Sequence, residues 1–362
     1  MLNSIFRSLA LSSIIMVAGC HPAGPSSVRT GRASYNMVIQ QTNNEQLLLN
    51  LVRLRYRDTP YFLEVSSVST TFDITASAAG ILSLPESESK TYELGTGISF
   101  SEQPTVSYTP LQGEGFVTQL MSPIDLNTII LLYHSGWSVE RIFRICLQSI
   151  NNLKNAPSAS GPTPDYVPKY KRFREVVDIL RRLQLQGVLD MGHVRSDDPN
   201  SPQIEIRISH DVLDSEQVRR LLDLLGLGRG GSRFRLTTEV GTGGKDQIAV
   251  VPRSLMGSLF YISQSVEVPP SDELDGLVTV TRDAQGQPFD WSAVTGRLMT
   301  IYSSEHLPEN ACVTVSYRGH WFYIMDSDLT SKSTFSLLSQ LFALQAGEVK
   351  STTPILTLPV GR

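Results

Sequence analysis

The chain has 362 residues, 41% of them hydrophobic and 18% charged, a balance that excludes a disordered chain and leaves room for about two domains. With 31 Lys and Arg against 35 Asp and Glu, the net charge of −4 argues against nucleic acid as a partner. Three cysteines are too few for a disulfide scaffold.

At the N-terminus, Arg7 and the free amine precede the apolar run LALSSIIMV (Leu9 to Val17), and Val17-Ala18-Gly19-Cys20 closes it with small residues. That order reads as an export signal, and the run is too short to span a bilayer as a helix, which takes about 20 apolar residues. The four closing residues resemble the lipobox of bacterial lipoproteins. The resemblance implies a diacylglyceryl thioether on Cys20, cleavage after Gly19 and acylation of the new terminus. One acyl chain binds reversibly at about 0.8 kcal/mol per buried methylene, so two or three on one residue make a lasting anchor. Residues 1–19 are therefore expected to be a signal peptide, and 20–33, rich in Pro, Gly and Ser, a flexible tether.

A helix is predicted from Ser34 to Arg57, with Leu48, Leu51 and Val52 on one face and Leu47 and Leu54 beside it; Asp58-Thr59-Pro60 stops it. From Tyr61 to Pro110 the period becomes two. Val68, Thr70, Phe72, Ile74, Ala76 and Ala78 alternate with Ser, Thr and Asp, and Tyr92, Leu94, Thr96, Ile98 and Phe100 alternate with Glu, Gly and Ser. This predicts a strand pair over 68–100 with a long polar connection, and a third strand at Thr105 to Tyr108. Helices follow at 115–121, 125–133 and 138–153, the last N-capped by Ser138 and carrying Cys146 on its apolar stripe.

Prolines 157, 162, 164 and 168 mark 155–168 as a linker, which divides an N-terminal domain (34–154) from a C-terminal one (169–362). In the second, helices at 170–186, 215–225, 254–266 and 330–346 alternate with strands at 188–194, 203–208, 233–240, 247–251, 277–281, 297–302, 311–317 and 320–325, and 354–360 ends extended. Short turns such as Arg318-Gly319 favour antiparallel pairing. The expected class is α+β, with two domains of antiparallel sheets and packed helices.

Chemistry-bearing patterns are few. Gly226-Leu227-Gly228-Arg229-Gly230-Gly231 has dinucleotide spacing, but a helix precedes it and a strand follows, so a glycine C-cap after Leu225 explains it better. Gly241 to Asp246 lies between strands and reads as a hairpin loop. His134, His193, His210, His306 and His320 lack ligand spacing, so neither metal nor cofactor is expected. His320 with Asp326 and Asp328 is the nearest approach to a catalytic cluster, although capping the following helix is the commoner work of such aspartates. Cys312 falls on the polar side of a strand, and no bridge to Cys146 is expected. Lys169, Lys171, Arg172, Arg174, Arg181 and Arg182 give one helix a basic character, either a solvated face or a contact for anionic headgroups. Arg53, Arg55 and Arg57 repeat the pattern, with Arg55 pointing away from the other two.

The runs NNEQLLLNLVRLRYRDTPYFLEV (Asn43 to Val65), SGWSVERIFRICLQSINN (Ser135 to Asn152), PRSLMGSLFYISQSVEVPP (Pro252 to Pro270) and LLSQLFALQAGEVKSTTPILTLPVGR (Leu337 to Arg362) resemble a family of proteobacterial outer-membrane lipoproteins. The resemblance carries over Cys20 alone as a functional residue. With His21 rather than Asp after the cysteine, it implies delivery to the outer membrane. The expected location is there, lipid-anchored and facing the periplasm. The expected role is non-enzymatic, that of a structural or protein-interaction component with an envelope protein as partner. The alternative is a subunit of an oligomeric pore that contributes the 68–100 strands, each near the ~10 residues a tilted membrane strand needs.

Overall fold

The structure, a computed structural model, describes residues 23–81, 93–162, 164–194, 203–239, 244–346 and 356–359. Cys20, the signal segment and the 82–92 connection lie outside these residues. The α+β class is the class observed. The chain divides into Met1–Gln46, whose described part is helical, and Leu47–Arg362, which holds all the sheets.

Helix α1 (Ala23–Arg55) begins inside the segment read as a tether. Pro25 falls in its first turn, where a missing N–H leaves no helical hydrogen bond unmade. The apolar face read from the sequence is real, since Leu47, Leu48, Leu51, Val52 and Leu54 are all buried. Asn50 is buried with them. Its side chain accepts from the Tyr61 amide (2.9 Å) and donates to the Tyr61 carbonyl (2.8 Å), which fixes how the chain leaves the helix.

Strands β1 (Leu63–Ile81) and β2 (Glu93–Pro110) pair antiparallel throughout. The third strand expected at Thr105 is the continuation of β2. Three short helices follow, α2 (Glu114–Met121), α3 (Leu126–His134) and α4 (Val139–Cys146), with Asp125 and Ser138 capping the last two through the Asn127 and Arg141 amides.

The helix expected over 138–153 therefore stops at Cys146, and Leu147–Ile150 is a strand, β3, with β4 (Leu153–Lys154) after it. Tertiary contacts override the local pattern here. The Arg253 guanidinium donates to the carbonyls of Arg144 (2.8 Å), Ile145 (3.2 Å) and Leu147 (2.6 Å), and the Arg253 amide donates to Cys146 (2.6 Å). Asn155 donates to Arg144 and Leu147 as well, at 2.9 and 2.7 Å. The last carbonyls of α4 are thus satisfied from distant segments, and the chain turns into the sheet.

The same contacts remove the expected domain boundary at 155–168. Asn155, Ala156 and Ala159 are buried, and the Ala156 amide donates to Lys169 at 3.0 Å. Pro157 opens a 3-10 turn at Pro157–Ser160, and Pro164 and Pro168 are buried, although Asp165, Tyr166 and Val167 between them are exposed. One six-stranded sheet crosses the supposed divide. It takes in β5 (Leu189–Val194) and β6 (Gln203–Ile208), which follow helix α5 (Lys171–Leu185), then β7 (Arg233–Thr237) and β8 (Gln247–Pro252), which follow α6 (Glu216–Leu225). Its order is β4-β3-β8-β7-β6-β5. All pairs are antiparallel except β7 with β8, so the 241–246 loop does not close the hairpin expected of it. Gly226 does end α6 in the left-handed conformation (φ 67°), which glycine adopts without a Cβ clash.

Helix α7 (Leu255–Ser263) is capped by Ser254, and the short helices α8 (Pro270–Leu274) and α9 (Ser292–Thr295) lie beyond it. The strand expected at 277–281 is absent. The one expected at 297–302 starts only at Tyr302, because Arg297 sits at φ 62° in the turn that ends α9. Strands β9 (Tyr302–Ser304), β10 (Ala311–Tyr317) and β11 (His320–Met325) form an antiparallel sheet of order β10-β11-β9. Helix α10 (Leu329–Ala346) follows, and β12 (Leu356–Pro359) pairs with β2.

The thiols separate as expected: both are free, Cys146 buried and Cys312 exposed. Burial pushes the Cys146 thiol up to about 12, and desolvation also raises Cys312 above its ordinary value. In a Cys20→Ala chain, a thiol reagent should therefore modify Cys312, faster as pH rises, and reach Cys146 only after denaturant is added. Rapid native-state labelling of Cys146 would contradict this packing.

Candidate functional site

The β1–β2 hairpin is the element whose geometry the core does not explain. Its strands have 19 and 18 residues, where the usual strand has about 5–6, and it reaches roughly 60 Å. Pairing runs from Leu63↔Pro110 to Ile81↔Glu93 with one irregularity, at Ser66, whose hydroxyl donates to the Ser107 carbonyl at 3.1 Å. Among the described residues β12 covers β2 from Thr105 to Tyr108. Beyond Thr105 the hairpin is a two-stranded ribbon, and no strand among the described residues pairs with either of its outer edges.

Two features make that ribbon unusual. An isolated two-stranded hairpin is at best marginally stable in water, and its open edges invite further strands. Soluble proteins blunt such edges with charges, yet Asp73 is the only charged residue between Val68 and Ile81, and Glu102 the only one between Leu94 and Pro104. The period-two pattern over 68–100 found the strands; their common length and their open edges needed the register.

The remaining candidates resolve into structural roles. Asp328 caps α10 by accepting from the Ser331 amide (3.0 Å) and hydroxyl (2.5 Å). Asp326 pairs with Lys332 at 2.6 Å. His320 lies at the opposite end of β11, with Nε2 4.0 Å from a carboxylate oxygen of Asp272. The sequence cluster of His320, Asp326 and Asp328 is not brought together. Among the described residues no three His, Cys, Asp or Glu side chains form a metal-binding group.

His320 belongs instead to a polar knot where α1 ends. Tyr56 donates to Asp272 at 2.6 Å; Asp58 accepts from Tyr317 and, at 3.0 Å, from Arg318, whose guanidinium stacks 5.2 Å from the Tyr56 ring. Burial first, then the bond to Asp272, raises the Tyr56 hydroxyl. The Tyr317 hydrogen bond, reinforced by Arg318, holds Asp58 below the ordinary carboxylate value of 3.8. A carboxylate depressed on folding contributes stability that is complete above its unfolded value and disappears as pH falls through the folded one. Asp58→Asn should therefore lower the urea midpoint slightly at pH 7, and the difference from wild type should shrink as pH falls below the ordinary carboxylate value of 3.8.

The basic segments also divide. Arg55 is buried and donates to the Thr279 carbonyl at 3.0 Å, while Arg57 reaches the Thr279 hydroxyl. On α5, Arg174 pairs with Asp178 at 3.8 Å and Arg181 donates to Gln184 at 2.6 Å, whereas the cations at its N-terminal end keep no such partners among the described residues. Among the described residues no helix is long and apolar enough to cross a membrane. Comparison of the chain with known protein families, with curated proteins and with solved structures finds no match.

Proposed function

We propose that this chain is an outer-membrane lipoprotein, anchored through acyl chains on Cys20, that acts without catalysis as an assembly component of the envelope. The observation that carries this reading is the β1–β2 ribbon, which beyond Thr105 has no strand among the described residues on either outer edge. Strand addition at such an edge gives affinity through main-chain hydrogen bonds, and it suits a protein held at a membrane beside its partner. The lipobox residues Val17 to Cys20 and the resemblance to outer-membrane lipoproteins support the anchor and its location.

A photo-crosslinking residue placed at Thr75 in intact cells should yield a discrete protein adduct, while one at the exposed Arg219 of α6 should not. Cys20→Ala should move the chain from the membrane fraction to the soluble periplasmic extract. An unmodified N-terminus by mass, or no difference between the two crosslinking sites, contradicts the proposal.

A second reading is favoured by the ribbon's length. Strands of 19 and 18 residues exceed the ~9–11 that a tilted membrane strand requires, so ribbons from several copies could close a barrel. Conductance across a planar bilayer separates a pore subunit from an assembly component that stays outside the bilayer.

A further inference from the structure

We infer that the cavity at the N-terminal end of α5 binds a phosphate ester carried on a molecule with an apolar or ring-bearing body. The cavity has a volume of about 520 Å³, and its wall includes Lys154, Lys169, Lys171 and Arg172 with the rings of Tyr170 and Phe289. No carboxylate lines it. Four cations gathered on one concavity repel one another, in a chain whose net charge is −4. Two nearby cations do have acidic partners, Arg174 with Asp178 and Arg220 with Glu175 at 2.7 Å. None of the four cavity cations makes an ion pair among the described residues.

The helix end compounds the imbalance. α5 has 15 residues, no acidic residue in its first turn and no side-chain cap from Tyr170. Lys171 and Arg172 sit in that first turn, where the helix dipole is already positive, so the local sequence opposes the usual stabilising arrangement. An anion placed there offsets both the cation repulsion and the dipole, and accepts from backbone amides as well as side chains. A phosphoryl group suits the setting because it offers several oxygens and up to two charges to an Arg fork and three ammonium groups. The rings, whose centroids lie 6.5 Å apart at 66°, supply the wall for an apolar or sugar body.

The test uses the full chain in neutral detergent micelles and reads thermal unfolding. Glucose 6-phosphate in solution is one arm and phosphatidylglycerol mixed into the micelles is the other, with succinate and phosphatidylcholine as controls. A Tm rise of about 2–4 °C with either phosphate ester is expected at saturation, absent with the controls. A response to glucose 6-phosphate identifies a soluble ligand, and one confined to phosphatidylglycerol identifies a lipid headgroup. K171E/R172E should abolish the rise; both residues are exposed, and an unchanged circular dichroism spectrum verifies that the variant is folded. K154A/K169A provides the same readout should the first variant fail to fold. No rise in either arm, an equal rise with succinate, or a rise that survives in the folded variants overturns the inference.

Discussion

Arg253→Met is expected to lower stability by about 3–5 kcal/mol, the largest loss from any single substitution considered. Arg253 is fully buried, and burial draws its guanidinium down to about 10, yet no acid pairs with it among the described residues. Its counter-charge is the C-terminal end of α4. It donates to the carbonyls of Arg144, Ile145, Leu147 and Asn155 and to the Ser160 hydroxyl (2.8 Å), and it lies 4.0 Å over the Tyr261 ring. Exchanging a buried ion for an apolar residue is often neutral when both partners are replaced. Here only the donor goes, and the backbone carbonyls remain buried without it. Methionine keeps the volume, so the loss read from the urea midpoint reports the hydrogen bonds. Arg253→Lys keeps the charge but not the fork, and should fall between the two. A loss under about 1 kcal/mol for Arg253→Met would mean that Asn155 alone caps the helix.

The second large effect concerns size. Replacing residues 70–104 with Asn-Gly joins Ser69 to Thr105, which are opposite each other in the native register and so suit a two-residue turn. The shortened hairpin keeps its pairing with β12. Because the removed ribbon contacts chiefly itself, the variant should fold with a melting temperature close to that of the parent. In detergent the parent should elute as an assembly and the variant as a single chain with its micelle, by light scattering. Equal masses would place the assembling surface elsewhere.

Much of this fold was legible where structure is local. The apolar face of α1, the helices α5 and α6, the serine cap at Ser138, the Gly226 stop and the period-two runs of β1 and β2 follow from backbone geometry and nearby side chains. What was not legible depended on distant partners. Nothing near Cys146 announces that Arg253 will end the helix there, and nothing in the prolines of 155–168 tells a linker from a segment pinned to the core at Asn155, Ala156 and Ala159. The parallel pairing of β7 with β8 is likewise a property of the whole sheet. The site followed the same rule. The strands of the ribbon could be read, its edges could not, and the basic cavity joins Phe289 to a helix start far from it in sequence.

Hydrogen exchange on the ribbon asks most directly whether its edges are filled in the envelope. In monomeric, unacylated Cys20→Ala protein, alternate amides of residues 70–80, those facing outward from the two-stranded ribbon, should exchange within seconds. In the particle extracted from membranes, the same amides should be protected as strongly as those between β1 and β2. Fast exchange of the outward set in both preparations would contradict a hairpin that works by gaining strands.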